Sequence, residues 1–223
     1  MDGDAPAGSG YRRAMCNEHR RAVALGQIIL DWSETRIPLR FPEGRPNLAA
    51  LDSIRITDPS AIIRASSEEP RAAELVQRRW SWPAPGGKPV FNYRSEGREF
   101  GFSDRGGRCL IVADGFYEYT SAAGEAQKKA RKDRWLFTPR RETETEPEWF
   151  CIAGIWRRTD EAGEAFTMLT TEPGPDVAPY HNRQVVVLRQ PDWARWLDPS
   201  VPASELTRPS PPGTFDVRLA NAR

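Results

Sequence analysis

A glutamate between two tyrosines is the side chain of this sequence that is best placed to do chemistry. Glu118 shares one face of an extended chain with Phe116, while Tyr117 and Tyr119 lie on the other face. A carboxylate at the end of a core strand carries a desolvation cost unless a partner compensates it. Two interpretations are open. Glu118 either reaches solvent or an arginine at a sheet edge, or it has a raised pKa and acts as a general acid or base.

Three further residues have catalytic side chains but are ambiguous when each is taken alone. Cys16 follows Met15 near the amino end, and its position says nothing by itself. Asn92 is most simply explained as a turn residue. His181 precedes a strand-like stretch, and a lone histidine is more often structural than catalytic.

Composition limits the classes of protein to consider. The net charge is +1, so any site for nucleic acid must be a local one. No apolar run is long enough to span a membrane, and residues 1–14 lack the apolar core of a signal peptide. The three cysteines show no pairing motif, which argues against a disulfide framework and a zinc site. We therefore expect a cytoplasmic protein with no membrane, metal or cofactor partner.

The apolar run from Cys109 to Ala113 predicts a strand covered on both faces. Asp114-Gly115 predicts a turn or bulge, because glycine tolerates positive φ, and Phe116 to Tyr119 then resumes a strand. Further strands are predicted at 53–57, 61–64, 135–138, 150–156, 166–171 and 184–188. Helices are predicted at 22–32, 68–79 and 193–197.

Many short strands and few helices predict an α+β fold, namely a β-rich single domain with a curled, barrel-like sheet and a few flanking helices. Residues 1–14 are expected to be a disordered leader, or to precede the true start of translation. Residues 15–200 are expected to form the domain, and 201–223 a Pro-rich, loosely packed tail. The basic stretch 121–132 is expected to be a solvated hairpin tip, with nucleic-acid contact as the less favoured alternative.

Together, the ambiguous residues fall into an ordered set of motifs. These are Met15-Cys16, Asn92-Tyr-Arg-Ser-Glu96, Arg108-Cys-Leu, Gly115-Phe-Tyr-Glu118-Tyr, Ala153-Gly-Ile-Trp156, Phe166-Thr-Met-Leu-Thr170 and Tyr180-His181-Asn-Arg183. Their order resembles that of the SOS-response-associated peptidase family, also called abasic-site processing or SRAP-domain proteins. The resemblance extends from Met15 to about Leu197, which is most of the chain.

The resemblance implies covalent capture of abasic sites in single-stranded DNA by a monomeric protein in the DNA damage response, nucleoid-associated when bound to DNA. Cys16 would become the amino terminus, form a Schiff base through its α-amine and close a thiazolidine through its thiol. Asn92 would position the sugar and the cysteine, and Glu118 would handle the proton on the α-amine. His181 would assist opening of the sugar ring.

The same resemblance implies DNA contacts. Arg94 and Arg183 fall inside matching motifs and would hold flanking phosphates. Trp80-Ser81-Trp82-Pro83 resembles the family's Trp-Gly-Leu/Ile-Pro segment, which lies against nucleic acid. The tryptophans would either stack on a base or simply cap the barrel.

The sequence also departs from the family pattern, which usually opens with Met-Cys-Gly-Arg. Asn17 and Glu18 replace the glycine and a phosphate-binding arginine, Tyr93 replaces a small residue, and Ala50 replaces a proline. Weaker DNA affinity or a different strand path would follow. An internal cysteine has an amide nitrogen and cannot form a thiazolidine, so we expect translation to begin at Met15 or the chain to be cut before Cys16.

Two alternatives to covalent capture are kept. One is a cysteine-dependent peptidase that acts on its own leader or on other proteins. The other is a non-covalent reader of damaged DNA.

Overall fold

The computed structural model describes residues 16–84, 86–120 and 132–220, which are mostly β-strand. Its strands in chain order are β1 (Glu18–Arg21), β2 (Leu39–Arg40), β3 (Leu51–Arg55), β4 (Pro59–Ala65), β5 (Ala73–Trp80), β6 (Trp82–Pro83), β7 (Pro89–Val90), β8 (Asn92–Arg94), β9 (Gly106–Ala113), β10 (Gly115–Thr120), β11 (Asp133–Pro139), β12 (Phe150–Thr159), β13 (Gly163–Thr171), β14 (Gln184–Val185), β15 (Val187–Leu188) and β16 (Phe215–Ala220). Helix α1 spans Leu25–Ser33, helix α2 spans Gln190–Leu197, and a 3₁₀ turn spans Ala203–Glu205. Within the described ranges, no helix combines the length and hydropathy needed to cross a bilayer.

Five of these strands close into a barrel. Antiparallel pairing links them in the order β13-β12-β9-β4-β5, and a parallel contact between β5 and β13 completes the ring at Phe166 and Trp80. The apolar strand β9 pairs with β12 on one side and β4 on the other, and every residue from Gly107 to Ala113 is buried. The fold class predicted from the sequence is thus confirmed, as is a strand covered on both faces.

Alternate residues of β9 serve two apolar clusters. Leu110 and Val112 belong to the cluster that receives both helices. Helix α2 is fastened there by Trp196, whose Nε1 donates to the carbonyl of Cys109 at 2.9 Å. Ile111 belongs to the second cluster, which contains Cys16. The strand therefore joins the helical face of the domain to the face that carries the candidate site.

A second sheet, ordered β16-β11-β10-β1-β3, continues from the barrel at Asp114-Gly115. Asp114 accepts the Ala22 N–H at 2.7 Å, so the bend is tied to the segment that follows β1. Gly115 is not among the residues with positive φ. A Cβ there would lie 2.8 Å from the Leu136 side chain and 3.1 Å from the Phe137 carbonyl. Glycine is thus required by the close approach of β11 and not, as predicted, by its φ angle.

The predicted strands occur close to their expected positions, but the helix predicted at 68–79 is wrong. Ala73–Trp80 forms β5, which pairs with β4 along seven residue pairs. Its charges do not mark a solvated helical face, because Glu74 is buried and accepts a hydrogen bond from Arg64 at 2.6 Å. In the sequence, charged residues that are paired inside a barrel strand give the same pattern as charged residues on an exposed helix.

The loosely packed tail expected after residue 200 also differs from the structure. Ala203 and Leu206 are buried, and β16 pairs with β11 from Phe215 to Ala220. The Phe215 ring lies edge-on to that of Phe116, with centroids 5.3 Å apart, so the end of the chain fills part of the core. Residues 1–14, and residues 121–131 of the hairpin tip expected at 121–132, lie outside the described residues.

Candidate active site

Cys16 lies at the start of the described chain, two residues before β1 begins, and is buried in the second apolar cluster. Strand β1 pairs with β10 at His19 and Phe116, so the chain that runs back to Cys16 passes beside Glu118. Burial, and then the negative charge of Glu118, raise the pKa of the Cys16 thiol well above its ordinary value. The thiol is therefore held in its protonated form.

Asn92 holds the backbone of Cys16. Its Nδ2 donates to the Cys16 carbonyl at 2.8 Å. Asn92 is not a turn residue but the first residue of β8, which pairs in parallel with β13 and places Asn92 beside Met168. The barrel wall therefore fixes the side chain that orients Cys16.

Glu118 is 1% exposed, and neither of its carboxylate oxygens has a hydrogen-bond partner within the described part of the chain. Burial raises its pKa well above the ordinary value, and the nearby backbone N–H of Cys16 offsets only part of that effect. The interpretation of Glu118 as an edge-strand residue that reaches solvent or an arginine is therefore wrong. The carboxyl group is buried, raised in pKa and adjacent to the nitrogen of Cys16.

His181 ends a turn on which its N–H donates to the Val177 carbonyl at 3.0 Å. The ring is buried, and its Nδ1 lies 3.1 Å from the Arg183 backbone nitrogen, which donates to it. Val177 belongs to the same apolar cluster as Cys16. The turn thus brings His181 to the same region of the core.

The two predicted phosphate ligands differ in their surroundings. Arg94 is exposed at the end of β8, two residues after Asn92. Arg183 is buried, forms an ion pair with Glu96 through both terminal nitrogens, and donates to the Thr170 carbonyl at 2.8 Å. Because the Arg183 guanidinium is engaged by Glu96 and Thr170, its surroundings agree poorly with the predicted phosphate contact.

The tryptophans predicted near DNA are both buried. Trp80 is completely enclosed and donates its Nε1 to the Phe91 carbonyl at 2.9 Å. Trp82 is 3% exposed, and the Arg157 guanidinium carbon lies over its ring, 4.4 Å from the ring centroid. Neither ring presents a face to a base, and this burial favours the alternative in which they close the barrel.

A buried polar cluster around one carboxylate adjoins the site and was missed by sequence reasoning. Glu18 is 1% exposed and accepts two hydrogen bonds from Arg134, at 3.0 and 2.8 Å. Ser53 and Tyr119 also donate to it. Burial alone would raise the pKa of Glu18, but these donors hold it below its ordinary value. The only signal in the sequence was the unusual acid two residues after Cys16.

Barrel closure and the grouping of Cys16, Asn92 and Glu118 define a β-barrel protein with a cysteine-centred site. The model of the SOS response associated peptidase (SRAP) family matches residues 40–218. The chain belongs to this family. The matched range contains Asn92, Glu118 and His181, whereas Cys16 precedes it.

Solved structures share the fold. A phage-related protein from Bordetella bronchiseptica superposes with a TM-score of 0.66 at 19% identity, covering 93% of this chain and 95% of that one. A second Bordetella bronchiseptica protein gives a TM-score of 0.64 at 20% identity, covering 93% of this chain and 100% of that one. No curated protein matches the sequence.

Proposed function

We propose that this protein captures abasic sites in single-stranded DNA through a covalent cross-link to Cys16. The observation that carries the proposal is the buried Glu118 carboxyl group next to the nitrogen of Cys16, while Asn92 holds the carbonyl of the same residue. Membership of the SRAP family supports a role in the DNA damage response.

The chemistry needs Cys16 to be the first residue. Its α-amine adds to the aldehyde of the open-chain abasic sugar, and loss of water gives an imine. The thiol then adds to the imine carbon, and its proton passes to the nitrogen, which closes a five-membered thiazolidine. Two nucleophiles on one carbon convert a labile imine into a stable product.

Glu118 serves as the proton acceptor for the α-amine. An unperturbed α-amine has a pKa near ~8 and is mostly protonated at neutral pH, so removal of its proton must precede attack. In its ionised form, a carboxyl group with a raised pKa is a stronger base than an ordinary one. His181 assists opening of the sugar ring by proton transfer.

DNA contact is assigned to Arg94, which is exposed on the strand that carries Asn92. The family arginine that Glu18 replaces is absent, and Arg183 is held by Glu96. Fewer phosphate contacts imply weaker binding to single strands and a smaller salt dependence.

Incubation of the protein with an abasic oligonucleotide, followed by denaturing electrophoresis, tests the proposal. The protein is prepared with Cys16 as its first residue, and an oligonucleotide without the lesion is the control. A heat-stable shifted band with the abasic strand alone is expected. A shift that survives only in a native gel would instead support a non-covalent reader.

A second candidate function is cleavage of the chain before Cys16. The Cys16 thiol would attack the carbonyl carbon of Met15, the Cys16 nitrogen would leave from that carbon, and water would then hydrolyse the thioester. Glu118 lies next to that nitrogen, where its protonated form can supply the proton of the leaving group. Loss of residues 1–15 in the absence of DNA, followed by mass spectrometry, tests this activity.

A further inference from the structure

The backbone pairing of β1 with its two neighbouring strands does not extend to Cys16. On the β10 side the pairing extends from Arg20 to His19, and on the β3 side it ends at Glu18. Cys16 therefore lies beyond the paired part of β1. A chain end with few backbone contacts frays unless side chains fasten it.

Besides Asn92, which holds the Cys16 carbonyl, Glu18 is in a position to fasten this end. Its carboxylate accepts hydrogen bonds from Ser53 of β3, Tyr119 of β10 and Arg134 of β11. Arg55 of β3 is 3.9 Å from the same carboxylate. Three strands thus hold a single group two residues from Cys16.

The same cluster holds both neighbours of Glu118. Tyr119 donates its hydroxyl to Glu18, and the Arg134 guanidinium lies over the Tyr117 ring, 3.5 Å from its centroid. Tyr117 also donates to the Asp52 carbonyl of β3 at 2.9 Å. The contacts of Glu18 therefore link the segment of Cys16 to the residues on each side of Glu118.

We infer that Glu18 is a positioning residue, which with Arg134 keeps the nitrogen of Cys16 beside the Glu118 carboxyl group. This inference rests on the proposed function and extends it. At this position the sequence has an acid where the family usually has a phosphate-binding arginine. The exchange would replace a contact to DNA by a contact that orders the reacting end of the protein.

Single-turnover rates of cross-linking test the inference, with every variant prepared to begin at Cys16. Glu18→Gln is expected to slow the reaction by up to roughly 100-fold, as small misplacements of reacting groups do, without a loss of affinity for an undamaged single strand. Because Glu118 can no longer act on a displaced nitrogen, the pH–rate profile should become that of Glu118→Gln. The double variant Glu18→Gln/Glu118→Gln should be no slower than Glu118→Gln alone.

Glu74→Gln is the matched control, since Glu74 is also buried and is paired with Arg64 on the barrel wall. It should lose stability, measured by thermal unfolding, and cross-link at the wild-type rate. If Glu18→Gln does not fold, Arg134→Lys takes its place, because lysine keeps the charge and loses the two-pronged contact.

Three results would overturn the inference while leaving the proposed function intact. These are a wild-type rate for Glu18→Gln, effects of Glu18→Gln and Glu118→Gln that multiply, or an equal slowing by Glu74→Gln. Absence of any cross-link in the wild-type protein would instead contradict the proposed function and the inference with it.

Discussion

Buried thiols and buried carboxylates respond to the interior in the same way, because both lose the solvation of their charged form. For Cys16 this means a protonated thiol, which is a poor first nucleophile. Attack by the α-amine followed by the thiol fits this state better than direct attack by a thiolate. In the proposed mechanism, burial of the Cys16 thiol thus agrees with attack by the α-amine first and ring closure by the thiol second.

Cross-linking is expected to depend on Cys16 alone among the three cysteines. Cys16→Ala should give no heat-stable band with abasic DNA, because alanine keeps the amine and loses the thiol that closes the ring. Cys109→Ala and Cys151→Ala are the controls, since both thiols are fully buried in barrel strands. A persistent band with Cys16→Ala would exclude the thiazolidine.

Glu118→Gln and His181→Ala are expected to slow cross-linking by roughly 100- to 10,000-fold, the usual range for a general acid or base. Affinity for undamaged single strands, measured by fluorescence anisotropy, should hardly change, because neither residue is proposed to contact phosphate. A loss of binding large enough to account for the slower reaction would reassign both residues to DNA contact.

Glu118 should also affect how the free energy of unfolding depends on pH, and this effect can be measured without DNA. Its folded pKa is raised, so its contribution to stability is complete below the unfolded value near ~4.3 and is lost as pH rises through the folded pKa. Glu118→Gln should therefore gain stability relative to the wild type as pH rises. Denaturant unfolding across that interval measures the difference.

Arg94→Ala is expected to behave in the opposite way from Glu118→Gln. It should weaken binding to single strands of any sequence. The magnitude of the slope of log affinity against log salt concentration should fall by about 1, which corresponds to the loss of one phosphate contact. Arg36, an exposed arginine after α1, offers a control substitution. Unchanged binding and slope would remove Arg94 from the DNA-contacting surface.

The strands show how pairing overrides local pattern. β5 has a charged composition but pairs with β4 from Ala73 to Arg79, and β16 follows a Pro-rich loop but pairs with β11 along its own full length. Backbone hydrogen bonds to neighbouring strands outweigh the preference of either segment taken alone. Both errors of prediction come from partners that are distant in sequence.

The junction between β5 and β6 contains a strained residue. Ser81 has a φ of +85°, which non-glycine residues rarely adopt, and its buried hydroxyl has no partner among the described residues. Serine stands here where the family motif has glycine. Ser81→Gly should raise the free energy of unfolding by about 1 kcal/mol, because it removes the strain and the unpaired hydroxyl.

Thermal or denaturant unfolding measures that change, with Ser66→Gly as the comparison at a site without positive φ. The Ser66 hydroxyl accepts hydrogen bonds from two backbone N–H groups, so its loss should destabilise. A destabilised Ser81→Gly protein would mean that the turn does not store strain.

At the scale of the whole molecule, the proposed cross-linking reaction depends on the amino end of the chain. The chemistry needs a free α-amine on Cys16, so protein from its native source is expected to begin at Cys16, as intact-mass analysis will show. Protein forced to retain Met1 should not cross-link until it is trimmed. A native chain that keeps Met1 and still cross-links abasic DNA would move the nucleophile elsewhere.

Local pattern in the sequence determined much of the architecture. The continuous apolar run of β9 and the aromatic strand around Glu118 are recognisable because side-chain period and burial are properties of neighbouring residues. The ordered motifs around Cys16, Asn92, Glu118 and His181 also indicate the family, because they are a property of the sequence alone.

Tertiary structure alone decided what these residues touch. Burial of Trp80, the ion pair that engages Arg183 and the cluster around Glu18 all depend on strands that meet across the fold. The sequence does not distinguish a charged side chain that faces solvent from one that faces a buried partner. Its surroundings, and therefore its pKa and its availability for DNA, are set by long-range pairing.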